Sequence, residues 1–248
     1  MATSINPDEF KTAVSWSNAV AASSGYESEE LIAHYQKAMR LTKPWTKFTD
    51  LGLNVMKISE RELILLTFFG FTINLLHKDK IRVLDIGGGN GHMAHFIRAA
   101  LPSIQFEWQI LETEKCATAY QQFESVSQIT WSHNQDYKEK FDITLLSCSL
   151  QYMESPFTRL SRAINLTDWL IVMRTPLTNY PHDVAAIQKV KYDNREFNWP
   201  CWFFSEMNFH TQLDKLAEKV ISYECLDESS IFEGVVVPLQ NFLYKTND

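Results

Sequence analysis

Val83-Leu84-Asp85-Ile86-Gly87-Gly88-Gly89-Asn90-Gly91-His92 is the stretch that decides the fold of this chain. A largely apolar run over 81–86 passes into a glycine-rich turn, and residues 92–100 have the pattern of a helix. A strand, a glycine turn and a helix in this order place backbone N–H groups and a helix N-terminus around an anionic or polar ligand group. The stretch therefore predicts a site for a nucleotide-like ligand.

The spacing of the glycines distinguishes two kinds of nucleotide site. In the dinucleotide fingerprint G-x-G-x-x-G the sixth position is glycine, but counting from Gly87 it is His92. The pattern that fits is D-x-G-x-G-x-G, formed by Asp85, Gly87, Gly89 and Gly91. A plain structural turn remains the simplest alternative reading of the glycines alone.

A second acid supports a ligand site. Glu112 ends the apolar run that begins at Trp108, and it lies 21 positions beyond Gly91 (112 − 91). A carboxylate at the end of a second strand can accept hydrogen bonds from both hydroxyls of a ribose. The turn, its preceding acid and Glu112 together predict a ligand that contains a nucleoside.

These motifs resemble the cofactor site of the class I S-adenosylmethionine-dependent methyltransferases. The resemblance implies that Asp85 orients the methionine end of the cofactor, directly or through water. A nicotinamide-dependent oxidoreductase shares the glycine turn and the ribose acid and is the alternative from another class. Asp85, and His92 in place of the third glycine, count against it. A third alternative is a non-enzymatic protein of the same fold that binds the cofactor without catalysing a reaction.

From Ile81 onward, strand patterns alternate with helix patterns, which predicts an α/β fold with a mostly parallel, doubly wound sheet. The resemblance implies a Rossmann-like sheet of seven strands with the last strand antiparallel. We expect two units: an N-terminal helical region over 1–80 that covers the core as a lid, and a catalytic domain over 81–248. An aromatic insertion is expected at about 176–212.

Ligands of such sheets bind outside the carboxyl ends of the strands, so the loops after each strand carry the candidate cofactor residues. Ser132 and His133 follow the third strand, and the resemblance implies that they approach the adenine. Ser147 and Cys148 end the fourth strand, where backbone carbonyls would meet the cofactor's ammonium group. The full set of candidates is Asp85, Gly87, Gly88, Gly89, Asn90, Gly91, Glu112, Thr113, Ser132, His133, Ser147, Cys148 and Gln151.

The loop after the fifth strand is expected to bind the methyl acceptor. His182 is the candidate general base, because methylation of an alcohol requires removal of its proton. Arg174 could pair with a carboxylate or phosphate of the acceptor, or form a structural salt bridge. Aromatic rings could stack on a sugar face or simply pack the core. The candidate acceptor residues are Tyr152, Arg174, Tyr180, Trp199 and Trp202.

Several short strings resemble a methyltransferase subgroup encoded in bacterial surface-polysaccharide clusters. They include Ser149-Leu150-Gln151-Tyr152-Met153, Arg174-Thr175-Pro176 and Trp199-Pro200. The resemblance implies O-methylation of a sugar or saccharide hydroxyl. N-methylation of an amino sugar and methylation of a secondary metabolite stay open.

Composition limits the kinds of binding partner and the cellular compartment that we expect. The 248 residues carry a formal net charge of −7 and no basic stripe, which argues against a nucleic-acid partner. The four cysteines form no C-x-x-C pair, and His92 and His95 have no accompanying carboxylate cluster, so we expect no metal site. Unpaired cysteines and a start at 1–4 unlike a signal peptide predict a cytoplasmic protein.

One apolar segment, Leu63 to Leu76, could be mistaken for a membrane element. Its 14 residues are too few to span a bilayer, so we expect a buried helix against the sheet and no stable membrane insertion. An exposed part of this helix could form a contact between two copies of the chain, so a homodimer is an open alternative.

Overall fold

The computed structural model describes residues 9–13, 15–41, 58–124, 129–192 and 195–247. Residues 1–4, on which the expectation about a signal peptide depends, lie outside this range. In chain order the elements are β1 Glu9–Thr12, α1 Trp16–Ala21, α2 Glu29–Leu41, α3 Glu60–Leu76, β2 Lys80–Ile86, α4 His92–Ala100, β3 Gln105–Leu111, α5 Glu114–Gln121, β4 Ile129–Ser132, β5 Phe141–Ser147, α6 Pro156–Ile164, β6 Thr167–Thr178, β7 Val184–Tyr192, β8 Arg195–Ser205, α7 Glu206–Leu213, β9 Ala217–Phe232 and β10 Val235–Thr246.

A mostly parallel sheet organises the chain, as the alternation of patterns predicts. Seven strands run side by side in the order β4-β3-β2-β5-β6-β10-β9. The first five of these are parallel to one another, and β10 is antiparallel to both β6 and β9. The carboxyl ends of β2, β3, β5 and β6 consequently meet at one edge of the sheet, where a ligand site is expected.

The total strand number differs from the predicted seven, because three further strands extend the sheet to ten. The end of β6 pairs with β8 through Leu177 and Thr178, β8 pairs with β7, and β7 pairs with β1. The expected aromatic insertion is therefore mainly a β-hairpin followed by α7. Pro200 argues against a strand at this point of the sequence, since proline is usually confined to sheet edges or strand ends. In the structure Pro200 nevertheless lies within β8, opposite Ile187 of β7.

Helices cover both faces of the sheet. On one face α3, α4 and α5 pack against β2 and β3, with Phe69 stacked on Trp108 at a centroid distance of 5.4 Å. On the other face α6 and α7 pack against the opposite side of the same strands and of β6. Alternation along β2 sends Val83 to the first face and Leu84 to the second, as a strand requires.

The predicted apolar helix is α3. Ser59 and Glu62 form a capping box at its start, which fixes the helix beginning at Glu60. Its buried side includes Leu65, Phe68 and Phe69, whereas Leu63 and Leu75 are about half exposed. No helix in the described ranges has the length and hydropathy needed to span a bilayer.

Candidate functional site

The glycine turn lies at the carboxyl edge of the sheet between β2 and α4. A Cβ added to Gly88 would lie 2.4 Å from Asp85 Oδ2, so only glycine lets the turn fold over this carboxyl group. Gly89 has a φ of +57°, and its missing Cβ would meet no atom within 4 Å, because it faces an open cavity. Gly88 is needed because the turn packs on Asp85, and Gly89 leaves space for a ligand.

Asp85 is buried beneath the turn. The Trp108 indole Nε1 donates a hydrogen bond to its Oδ2 at 3.2 Å, whereas Oδ1 has no hydrogen-bond partner among the described residues. Burial raises the pKa of the Asp85 carboxyl to about 7, and the nearby Glu112 acts in the same direction against the hydrogen bond from Trp108. A cation that enters the cavity would lower this pKa again by favouring the ionised carboxylate.

Glu112 directly follows β3 and its carboxylate turns back toward the glycine turn. The backbone N–H groups of Gly89 and Thr113 donate hydrogen bonds to it at 2.8 and 3.1 Å. Burial raises the pKa of Glu112, although these two hydrogen bonds oppose the shift. A carboxylate has more acceptor sites than these two bonds use, so Glu112 can accept further hydrogen bonds from a ligand.

Two residues on neighbouring strands β5 and β6, one just after its strand and one within it, have left-handed backbone conformations. Cys148, after β5, has a φ of +54°, and Arg174, in β6, has a φ of +56°. The Gln151 amide Nε2 reaches both, donating to the Cys148 sulfur at 3.3 Å and to the Arg174 carbonyl at 3.2 Å. Non-glycine residues rarely adopt this conformation, and such strain is concentrated at functional sites.

The unusual backbone of Arg174 directs its side chain into the cavity. Asn241, buried on β10, accepts a hydrogen bond from the Arg174 backbone N–H at 3.1 Å. The guanidinium Nε forms an ion pair with Glu228 of β9, and both side chains line the cavity. The pair uses one edge of the guanidinium, so its terminal nitrogens can still donate to a ligand.

Aromatic side chains line the cavity on the side of β7 and β8. Tyr26 stacks on Trp199 with ring centroids 4.3 Å apart and meets Tyr152 edge-on at 5.0 Å. The buried Gln188 Oε1 accepts hydrogen bonds from the Tyr152 hydroxyl at 2.7 Å and from the Trp199 indole at 2.8 Å. Burial raises the pKa of both Tyr26 and Tyr152, so these hydroxyls remain protonated.

Apart from Trp108 and Asn241, which lie behind Asp85 and Arg174, the groups described above line one cavity of about 1260 Å³. Cofactor candidates lie at the end formed by β2, β3 and β5, and the aromatic residues lie at the end formed by β6 to β9. The predicted site residues that line it are Asp85, Gly87, Gly88, Gly89, Asn90, Glu112, Thr113, Ser147, Cys148, Gln151, Tyr152, Arg174 and Trp199.

Solved structures with similar architecture include two methyltransferases and a domain solved with S-adenosylhomocysteine. A S-adenosylmethionine-dependent methyltransferase from Clostridium acetobutylicum is 9% identical, with a TM-score of 0.50 over 77% of this chain and 94% of that one. The N-terminal domain of EvdMO1, solved in the presence of S-adenosylhomocysteine and D-fucose, is 12% identical, with a TM-score of 0.50 over 90% and 100%. Human N-acetylserotonin methyltransferase in complex with S-adenosylmethionine is 14% identical, with a TM-score of 0.52 over 90% and 58%.

The chain shares the fold of these three structures. At these identities the likeness is one of fold, and it does not bear on the surface-polysaccharide subgroup. No protein-family model matches the sequence, and no curated protein is significantly similar to it.

Within this methyltransferase fold, three candidate cofactor residues do not line the cavity. Gly91 is the N-cap of α4, where an added Cβ would lie 3.1 Å from Ile129 Cδ1, so it serves packing. The Ser132 hydroxyl accepts a hydrogen bond from the Asn134 backbone at 3.1 Å, and His133 is exposed beside it. The assignment of Ser132 and His133 to the adenine stays a prediction from the resemblance.

Two candidate acceptor residues and the candidate general base also lie outside the cavity lining. Trp202 stacks on Trp16 at 5.0 Å, and its indole donates to the Met153 carbonyl at 3.1 Å. The Tyr180 hydroxyl donates to Glu233 at 3.0 Å. His182 is exposed in the turn between β6 and β7. Its assignment as general base thus stays a sequence-based prediction that its position in the structure does not support.

Sequence reasoning missed Arg61, Gln188 and Glu228, which all line the cavity. Gln188 and Glu228 lie on β7 and β9, and the sequence does not show that these strands close over the cofactor edge. Arg61 lies in the first turn of α3, and the apolar run that follows it indicates a packing role for this helix and no binding role. The one available signal was a charged residue at the start of a helix packed beside the glycine turn.

Proposed function

We propose that this protein is a S-adenosylmethionine-dependent methyltransferase that O-methylates a sugar or saccharide hydroxyl. The observation that carries this proposal is the placement of Asp85 and Glu112 on either side of the glycine turn in a methyltransferase fold. Both carboxylates reach the same cavity at the carboxyl edge of β2 and β3.

The residues at this end of the cavity fit the cofactor. Asp85 Oδ1 is buried without a partner among the described residues and would accept a hydrogen bond from the ammonium group. Gln151 Oε1 is likewise buried without a described partner and lines the same cavity. Glu112 would accept hydrogen bonds from the ribose hydroxyls, and the open space over Gly89 admits the ligand.

When bound, S-adenosylmethionine would supply a methyl group made electrophilic by a positively charged sulfur, with the methyl–sulfur bond breaking as the acceptor attacks and S-adenosylhomocysteine as the leaving group. The contribution of the protein is then to position the acceptor for in-line attack and to exclude water. Tyr26, Tyr152 and Trp199 give the acceptor end an aromatic wall of stacked and edge-on rings, against which the apolar face of a sugar can pack. Arg174 offers donors to the sugar oxygens beside this wall.

An alcohol acceptor must also lose a proton, and Glu228 is the group we assign to this role. Its carboxylate lines the cavity and is held in place by the ion pair with Arg174. The proton passes from the acceptor oxygen to the Glu228 carboxylate as the new carbon–oxygen bond forms. The tyrosines are unsuited to this task, because burial raises their pKa values.

A methyl-transfer assay tests the proposal. Purified protein would be incubated with methyl-labelled S-adenosylmethionine and, separately, neutral hexoses, 6-deoxyhexoses, amino sugars and their nucleotide conjugates. We expect label on an oxygen of a neutral sugar or its conjugate. Label on an amino-sugar nitrogen would correct the acceptor atom. Absence of transfer to every acceptor, together with absence of cofactor binding, would contradict the proposal.

A further inference from the structure

Arg61 is the one residue in the first turn of α3 that turns toward the cavity while its neighbours are engaged elsewhere. Glu60 accepts hydrogen bonds from the backbone N–H groups of Leu226 and Asp227 at 3.0 and 2.8 Å. Glu62 closes the capping box and contacts His92 at 3.0 Å. These contacts fix the start of α3 against β9 and α4, and they hold the backbone of Arg61 at the cavity wall.

The Arg61 side chain has no hydrogen bond or ion pair with any described residue, and its Nε is buried without a partner. Burial of a polar group without a hydrogen bond is costly, so such atoms in a cavity wall point to a ligand. A guanidinium has five donors in a planar fork that matches the two oxygens of a carboxylate.

Arg61 and Asp85 lie on the same side of the sheet. Asp85 follows Val83 on the face covered by α3 and α4, and its partner Trp108 stacks on Phe69 of α3. A ligand that places its ammonium group beside Asp85 would bring any carboxylate on the same carbon toward this face. An α-amino acid end carries both groups on one carbon.

The other cations of the cavity wall are less suited to that carboxylate. The charge of Arg174 is already balanced by Glu228. Lys189 and Lys191 lie on β7, at the aromatic end of the cavity. Arg159 is on α6, which packs on the opposite face of the sheet.

We propose that Arg61 binds the carboxylate of the cofactor's amino-acid end, while Asp85 binds its ammonium group. This inference rests on the proposed function. It assigns to α3 a binding role in addition to its packing role, and it explains why a helix outside the strand–turn–helix unit is anchored so firmly to β9 and α4.

Calorimetric titration of wild-type protein and Arg61→Gln with two probes tests this assignment. S-adenosylhomocysteine carries the amino-acid end, and 5′-methylthioadenosine lacks it. We expect Arg61→Gln to bind S-adenosylhomocysteine about 10- to 100-fold more weakly, as for loss of hydrogen bonds between charged groups. Its affinity for 5′-methylthioadenosine should match wild type. Arg61→Lys, which keeps the charge without the fork, should lose less and guards against misfolding of the first variant.

Arg159→Gln is the matched control, because it removes the same charge from the same cavity on the other face. It should bind both probes as wild type does. Equal weakening in Arg61→Gln and Arg159→Gln, or an Arg61→Gln affinity for S-adenosylhomocysteine equal to wild type, would overturn the assignment. Failure of wild-type protein to bind either probe would instead contradict the proposed function itself.

Discussion

The carboxylate of Glu112 accepts a hydrogen bond from the backbone N–H of Gly89 at 2.8 Å. This bond joins the end of β3 to the middle of the glycine turn after β2, so the acid and the turn form one unit. The same carboxylate lines the cavity, and it has acceptor sites that this bond does not use.

Replacement of Glu112 by alanine should weaken binding of S-adenosylhomocysteine by about 1.5–3 kcal/mol, the usual range for hydrogen bonds to a charged group. The measurement is calorimetric affinity, with thermal unfolding as a check on the fold. Glu114→Ala provides the control, because Glu114 is an exposed acid two residues along the chain. An unchanged affinity in folded Glu112→Ala would remove this residue from the ribose role.

Cofactor binding should release a proton below pH 7. Burial raises the pKa of the Asp85 carboxyl from its ordinary value of 3.8 to about 7, so the free protein holds this proton at pH 6. An ammonium group beside Asp85 favours the ionised form, so affinity should rise with pH up to about 7 and level off above it.

Without ligand, the raised pKa of Asp85 lowers the stability of the fold as pH rises from about 4 to 7.

Calorimetry of S-adenosylhomocysteine binding at pH 6, in two buffers that differ in ionisation enthalpy, measures this release. We expect roughly 0.9 proton per site for a group with a pKa near 7. Asp85→Asn should bind more weakly and release far less. Equal proton release by wild type and Asp85→Asn would show that another group is responsible.

Gln188→Leu should destabilise the protein by about 1–3 kcal/mol for each buried donor left unpaired. The two donors are the Tyr152 hydroxyl and the Trp199 indole, which both bond to Gln188 Oε1. Chemical denaturation of Gln188→Leu, Tyr152→Phe and the double variant measures the coupling. The double variant should be more stable than the sum of the single losses predicts, and strict additivity would contradict the shared acceptor.

Glu228→Gln should lower kcat for an alcohol acceptor by about 100-fold or more, the usual contribution of a general base. Its affinity for S-adenosylhomocysteine should be retained, since Glu228 lies at the acceptor end of the cavity. His182→Gln is the natural comparison and should turn over as wild type does, because His182 is exposed outside the cavity lining. The sequence-based assignment makes the opposite prediction, so the pair of variants decides between the two residues.

The sequence was informative where local pattern and ligand chemistry coincide. The run around Asp85 and the glycines predicted the turn, and Glu112 was found because the acid follows a recognisable strand. These features depend on neighbours in the chain, as do the parallel strands and covering helices from β2 to β6. The apolar run over 81–86 and the helix pattern over 92–100 agree to within one residue with β2 and α4.

The acceptor end was poorly predicted because it depends on contacts between distant segments. Tyr26 meets Trp199 across more than 170 residues of chain, and Arg174 meets Glu228 only because β10 turns back between β6 and β9. Trp202 illustrates the converse: its aromatic character suggested a ligand wall, but Trp16 covers it. Composition alone does not show which aromatic rings face a cavity and which face each other.

The most direct measurement is calorimetric titration of wild-type protein with S-adenosylmethionine, S-adenosylhomocysteine, NAD and NADP in parallel. We expect micromolar binding of the first two ligands and none of the nicotinamide cofactors, because the proposed roles of Asp85 and Glu112 require an amino acid joined to a nucleoside. Binding of a nicotinamide cofactor without either sulfur ligand would contradict it and make the protein an oxidoreductase.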